Sequence, residues 1–206
     1  MSQHKRNYAM SKRRRRFIAI ICLLFTALLI FLDNFYFRHN LYHGRASAAQ
    51  TENPDFDKYN SGIFTVINVL DGDTLDINFP DNQSKYTRIR LLGIDAPEIH
   101  SESGQTYYGS QSRNFVNKLM QNKNVTIYLD DKNNTRGKYG RLLAYVMLPD
   151  GKLLNEELLS NGFAYADTRF RHSFYNKYKQ LESSARANKK GLWQNVTPEQ
   201  MPEWVH

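Results

Sequence analysis

The chain has 206 residues and a single cysteine, Cys22. No intramolecular disulfide can form, and zinc sites built on thiolates are excluded. There is no His/Cys cluster to favour a soft metal, and no internal repeat. The domain that follows the N-terminal segment also lacks an excess of positive charge. The formal charge is +8, but residues 1–46 hold nine Lys/Arg against one acid, Asp33, and residues 47–206 hold 19 Lys/Arg against 19 Asp/Glu. The bulk of the chain therefore has no net field to steer polyanions. Any case for nucleic acid must rest on local residues.

The basic excess belongs to a tail, residues 1–16, that ends in Lys12-Arg13-Arg14-Arg15-Arg16. Sixteen uncharged residues follow, Phe17 to Leu32, and the run extends to Phe35-Tyr36-Phe37. Residues 17–37 are long enough, at about 30 Å, for one transmembrane helix. The arginines would stay cytoplasmic and the aromatic triplet would sit at the far interface. This predicts a membrane anchor with the remaining chain extracytoplasmic, periplasmic or extracellular. Ala46-Ser47-Ala48 carries the alternative of a cleaved signal segment, with secretion after a cut near Ala48. Residues 38–60 read as a small, polar linker, 61–195 as the folded domain and 196–206 as a C-terminal tail.

Within the domain, Ile63–Leu70 and Thr74–Phe79 are β-rich runs joined by the tight Asp71-Gly72-Asp73 turn. Tyr86–Ile94 alternates Arg88 and Arg90 with Ile89 and Leu91, which predicts a third strand. Helical spacing over 109–121 places Phe115, Val116, Leu119 and Met120 on one face. Val125–Leu129 and Arg141–Leu148 give two more strands. Asn155 reads as the N-cap of a short helix with Glu156 and Glu157 in its first turn and Gly162 just past its end. A last helix is expected over 173–188, with Phe174, Tyr178, Leu181 and Ala185 along one stripe and Gly191 as its stop. Five short strands with helices inserted late predict an α+β plan on a five-stranded OB-fold barrel with about three helices.

Acidic oxygens and two arginines gather at the ends of the apolar runs, in Asp71-Gly72-Asp73-Thr74, Arg90 to Glu98 and Lys138-Tyr139-Gly140-Arg141. Carboxylate and carbonyl oxygens suit a hard cation. Arginine suits a phosphodiester, because its planar fork donates two parallel charge-assisted hydrogen bonds and stays charged at any working pH.

From about Phe64 to Trp193 the chain is similar to the staphylococcal nuclease (thermonuclease) family. The resemblance rests on Val69-Leu70-Asp71-Gly72-Asp73-Thr74, Arg90-Leu91-Leu92-Gly93-Ile94-Asp95-Ala96-Pro97-Glu98, Lys138-Tyr139-Gly140-Arg141-Leu142-Leu143-Ala144-Tyr145 and Leu154-Asn155-Glu156-Glu157-Leu158 with Gly162, in that order. Lys190-Gly191-Leu192-Trp193 also fits. The resemblance implies a Ca²⁺-dependent phosphodiesterase that cuts DNA and RNA with low sequence specificity, prefers single-stranded or frayed substrate and leaves 3′-phosphate ends. It implies metal ligands at Asp73, Asp95 and the backbone carbonyl of Ala96, with Asp71 and Thr74 around them. Arg90 and Arg141 match the arginines that grip the scissile phosphate, and Glu98 the carboxylate that orients or deprotonates the attacking water. Beside a cation and two arginines, Glu98 is expected to be a weak base with a lowered pKa. Lys138 and Tyr139 match positions beside the terminal phosphate, and Tyr165 falls near the base-stacking tyrosines. Phe163–Asp167 and Asn133–Gly137 depart from the family's type sequence.

Two rival readings differ in class. One is a non-catalytic OB-type module that binds nucleic acid or protein, whose sequence mark would be loss of the acidic and arginine set; Asp73, Asp95, Glu98, Arg90 and Arg141 are all present. The other makes the basic tail the working part, binding DNA inside the cell; the apolar run directly behind it favours a topological signal. No obligate protein partner is implied.

Overall fold

The computed structural model describes residues 21, 53–101, 104–120 and 122–205. The basic tail, the span expected over 17–37 (Ile21 apart) and the first part of the linker lie outside them. Among the described residues no helix is long and apolar enough to cross a membrane.

Residues 52–206 form one compact unit. Its elements run α1 (Pro54–Tyr59), β1 (Ile63–Val69), β2 (Thr74–Ile77), β3 (Thr87–Leu91), β4 (Ile94–Asp95), β5 (His100–Ser101), β6 (Gly104–Gln105), α2 (Gly109–Met120), β7 (Asn124–Tyr128), β8 (Leu142–Met147), α3 (Leu154–Ser160), β9 (Tyr165–Ala166) and α4 (Tyr175–Ala187). Strands β1-β2-β3-β8-β7 close into a barrel. Every pairing around it is antiparallel except that of β3 with β8. This is the expected five-stranded OB-type barrel, and the inward-facing residues of each strand make its core.

The alternation in β3 holds: Thr87, Ile89 and Leu91 are buried, while Arg88 and Arg90 turn to the other face. Strand β2 is buried at all four positions, including Asp76. A carboxylate can be buried there because its register partner Arg88 meets it with two hydrogen bonds, at 2.8 and 3.1 Å.

The third strand is shorter than expected. Gly93 adopts φ +76°, a left-handed conformation that glycine tolerates without steric cost. The chain turns there, and Ile94–Asp95 pairs with Tyr165–Ala166 instead of prolonging β3. The break carries Asp95 out of the barrel wall toward the loops.

Four further expectations are corrected. The linker over 38–60 ends early: Asn53 caps α1 by accepting from the amide of Asp55, Pro54 opens the helix, and Tyr59 is fully buried against Phe64 and Phe79. Asn155 is not an N-cap. The helix begins one residue before it, and the buried side chain accepts from the Val146 amide at 3.1 Å and donates to the Leu92 carbonyl at 3.0 Å. It clips α3 to the ends of two barrel strands. Helix α4 stops at Ala187, with Lys189 in the left-handed region (φ +50°), and Gly191 opens a following 3₁₀ turn rather than ending the helix. Finally, the stretch expected as a C-terminal tail packs on the domain over residues 196–205: 3₁₀ turns form at Pro198–Gln200 and Glu203–Val205, and Val196, Met201 and Trp204 pack on a cluster containing Tyr165 and Trp193.

Candidate active site

The hairpin turn between β1 and β2 is organised by its first aspartate. The Asp71 carboxylate accepts from the Asp73 amide at 2.9 Å, and the Leu70 amide donates to the Thr74 carbonyl at 2.9 Å. This aims the Asp73 side chain inward, where it is 1% exposed. Its Oδ2 accepts from the backbone amide of Ala96 at 2.6 Å, its Oδ1 accepts from the Thr74 hydroxyl at 3.1 Å, and it forms an ion pair with Arg90. The close approach needs Gly72, whose Cα faces Ala96 and Ser112 with no room for a methyl group.

Arg90 ion-pairs with Asp95 as well as Asp73. Asp73 and Asp95, the two carboxylates that the family resemblance implies as metal ligands, therefore converge, from segments 22 positions apart in the sequence, on one cationic group. Ala96 is buried beside them and ties its loop to Asp73.

Asp71 stands next to this group. Burial pushes its carboxyl up, and the positive charge of Arg90 pulls the other way. Glu98 lies on the loop after Ala96, open to solvent on one side and facing the charged groups of the site on the other, so solvent screens their effect on it. Its carboxyl is pushed up by partial burial and next by the Asp71 charge, with Arg90 and Arg141 opposing them. Among the protein groups alone, the direction is the reverse of the expected lowering. Arg141 precedes β8, with its guanidinium 3.4 Å from the Thr74 hydroxyl. Burial and the like charge of Arg90 ease its proton off more readily than usual. These mutual effects place Arg90, Arg141, Asp71 and Glu98 in one electrostatic neighbourhood.

Lys138 and Tyr139 lie in an exposed turn before Arg141. The Tyr139 ring, 75% exposed, is 5.5 Å from the Lys138 ammonium and 5.8 Å from the Arg141 guanidinium. Tyr165 is different. It is 2% exposed, with Trp193 and Trp204 edge-on to its ring. It offers no face for a base to stack on, and the expectation of a stacking role is corrected. Phe170, 64% exposed, is the open aromatic of that region.

Two residues at the site were not anticipated. Arg169 Nη2 and Trp204 Nε1 donate to Asp95 Oδ2 at 3.0 and 3.1 Å. The only signal in the sequence was an isolated tryptophan in a polar terminal stretch. The divergent segment 133–137 also acquires a role: Arg136 grips Asp55 of α1 with two hydrogen bonds (2.6 and 2.7 Å), pairs with Asp81, and donates to the Gly140 carbonyl at 3.1 Å. It fixes the turn that carries Lys138 and Tyr139.

The donor set around Arg90 consists of oxygens, which fits a hard divalent cation in place of the guanidinium charge. Among the described residues no three His, Cys, Asp or Glu side chains gather to form a closed cage. A cation held by two aspartates and a carbonyl would keep several waters, the open type of site that a substrate phosphate can join.

Residues 88–195 match the model of the family described as staphylococcal nuclease homologue. An uncharacterized endonuclease of Escherichia coli O157:H7 is 33% identical over 146 residues, 68% of this chain and 81% of that protein. A thermonuclease of Staphylococcus hyicus is 32% identical over 139 residues, 66% of this chain and 78% of its own length. An uncharacterized protein of Methanocaldococcus jannaschii is 29% identical over 202 residues, 87% of this chain and 94% of its own length.

Proposed function

Because the chain belongs to the staphylococcal nuclease family and is a nuclease of the hydrolase class, we propose that it is a Ca²⁺-dependent enzyme. It cuts DNA and RNA with low sequence specificity, acts best on single-stranded or frayed substrate, and leaves 3′-phosphate ends. The observation that carries this reading is the convergence of Asp73 and Asp95 on Arg90.

In this reading Asp73, Asp95 and the Ala96 carbonyl hold Ca²⁺, and Asp71 and Thr74 fix the turn behind them. The bound cation supplies positive charge at the phosphate and a source of polarised water. With Asp73 and Asp95 engaged in holding it, Arg90 would have donors to offer the substrate. Arg90 and Arg141 then grip the scissile phosphate from planar forks, stabilising the negative charge that grows in the five-coordinate transition state. Glu98 orients the attacking water. Lys138 meets the flanking phosphate, and Tyr139, exposed beside Arg141, lies against the substrate as it leaves the site.

We further propose that residues 17–37 anchor the enzyme with its domain extracytoplasmic, where Ca²⁺ is the more available divalent cation. Labelling of intact cells against lysed cells tests the topology.

The chemistry is tested by incubating the purified protein with single-stranded DNA and RNA in millimolar Ca²⁺, in Mg²⁺ and with a chelator. The expected result is Ca²⁺-dependent cleavage with 3′-phosphate ends. Binding without cleavage under every metal would make the domain a non-catalytic OB-type module.

A further inference from the structure

The second oxygen of Asp95 is held from a direction unrelated to the barrel. Oδ1 faces Arg90, while Oδ2 accepts from Arg169 at 3.0 Å and from the Trp204 indole at 3.1 Å. Trp204 lies beyond residues 88–195, the part that matches the family model. It is nonetheless built in. Its ring is edge-on to Tyr165 (6.3 Å, 81°), the register partner of Asp95, and the Arg169 guanidinium lies 4.4 Å over its face. Arg169 is fixed in turn by Asp167, with Nε and Nη2 each 2.9 Å from a carboxylate oxygen and the Arg169 amide at 3.0 Å.

A carboxylate on a short loop can rotate and present one oxygen or both to a cation. Two donors on the same oxygen remove that freedom. The chemistry of the two donors matters as much as their position. The indole N–H is neutral and can only donate, so it orients Asp95 without opposing its charge. The charge of Arg169 is shared, its Nη2 meeting Asp167 at 2.9 Å and Asp95 at 3.0 Å, so only part of it falls on Asp95. Asp95 thus keeps its attraction for a cation while losing its freedom to turn.

We propose that Trp204, with Arg169, is a positioning residue for Asp95, fixing Oδ2 so that Oδ1 alone is presented to the metal. The C-terminal segment from Thr197 to Val205 is then a working part of the metal site. The proposal rests on the reading of Asp95 as a ligand given above. Partners behind metal ligands typically contribute about 10–100-fold to affinity.

The test uses the full chain and titrates Ca²⁺ by calorimetry in the absence of substrate, for the wild type, Trp204→Phe and Arg169→Gln. Phenylalanine keeps an aromatic ring against Tyr165 and under Arg169 but has no donor. The expected result is a Ca²⁺ affinity about 10–100-fold weaker in each variant, with cleavage at low Ca²⁺ lost and recovered when Ca²⁺ is raised. A lower Tm with unchanged Ca²⁺ affinity would reduce Trp204 to a packing residue and overturn the proposal. So would wild-type affinity and wild-type Tm in both variants. If the wild type itself binds no Ca²⁺, the metal reading of Asp95 fails and the positioning role fails with it. Wild-type binding matched by both variants sinks only the latter.

Discussion

The buried carboxylate of Asp73 accepts a 2.6 Å hydrogen bond from the backbone amide of Ala96. A side chain from the β1–β2 turn thereby fixes the backbone of the loop after β4. The strand register brings the same two segments together, since Thr74 pairs with Arg90 and the Leu91 amide donates to the Asp73 carbonyl at 2.8 Å. Asp73, the Ala96 loop and Arg90 are therefore one mechanical unit.

That unit depends on Gly72 having no side chain. A Cβ there would lie 2.6 Å from the Ala96 Cβ and 2.8 Å from the Ser112 Cβ. Gly72→Ala must push the turn away from both the loop and α2, or both of them away from the turn. The expected cost is about 1–3 kcal/mol of stability, read as a lower Tm, with a loss of Ca²⁺-dependent cleavage larger than the fall in folded protein explains. A wild-type melting curve and wild-type cleavage would show that the turn has slack.

Arg141→Lys separates charge from geometry. The hydrogen bond of Arg141 within the protein, to Thr74, is long at 3.4 Å, so the fold has little stake in the guanidinium. Lysine keeps the positive charge but loses the fork. The expected outcome is unchanged Tm with kcat/KM on single-stranded DNA lower by about 10²–10³. Cleavage within a few-fold of wild type would remove Arg141 from the phosphate grip.

The barrel was legible because its signals are local, whereas the roles expected of Asp73, Asp95, Glu98, Arg90 and Arg141 came from the family resemblance and their convergence from no local pattern. The alternation of Arg88 and Arg90 with Ile89 and Leu91 states which side of β3 is core, and Asp71-Gly72-Asp73 states where the hairpin turns. What escaped depends on packing. Asn155 before two glutamates carries a capping signal, yet the buried amides and carbonyls of Val146 and Leu92 claim its side chain. Tyr165 looks like an open aromatic, but its two-residue strand is roofed by Trp193 and Trp204, 28 and 39 positions on. Helix α1 hides in a polar stretch, since only Tyr59 betrays a buried face. The link from Trp204 to Asp95 spans 109 positions, and no local pattern encodes it.

The anchor of α1 gives a prediction in the acid range. The Arg136 hydrogen bonds hold the Asp55 carboxyl below its usual range; at Asp81 burial works upward but Arg136 outweighs it. Depressed carboxyls stabilise the fold at pH values above the unfolded pKa, about 3.9, and that contribution is lost as pH falls through the folded values. Asp55→Asn should cost about 1.5–3 kcal/mol at neutral pH. The Tm gap to wild type should narrow as the pH drops below 4. A constant gap would mean that the loss is packing rather than charge.

His172 gives a prediction in a separate window. It packs against the Cα of Gly93, where any Cβ would strike its ring, and the Tyr145 hydroxyl lies between its Nδ1 (3.0 Å) and Asp130 Oδ2 (2.7 Å). Burial lowers its pKa from the ordinary 6.5, with Asp130 and Asp167 pulling the other way. A histidine with a depressed folded pKa contributes stability that is fully present above pH 6.5 and lost as pH falls through the folded value. The wild-type Tm should therefore drop between pH 7 and pH 5, a range in which Asp55 and Asp81 do not titrate. His172→Phe should be less stable at pH 7, having lost the contact to Tyr145, but should show a shallower decline toward pH 5; taking the difference between the two proteins cancels the other histidines. Ca²⁺ affinity should fall more steeply from pH 7 to pH 5 in the wild type than in His172→Phe, because the ring braces the Gly93 turn that delivers Asp95, whereas the raised carboxyls of Asp71 and Glu98 act equally in both. Equal slopes in both proteins would mean that Asp130 and Asp167 accommodate the imidazolium in place, and that the turn does not register its charge.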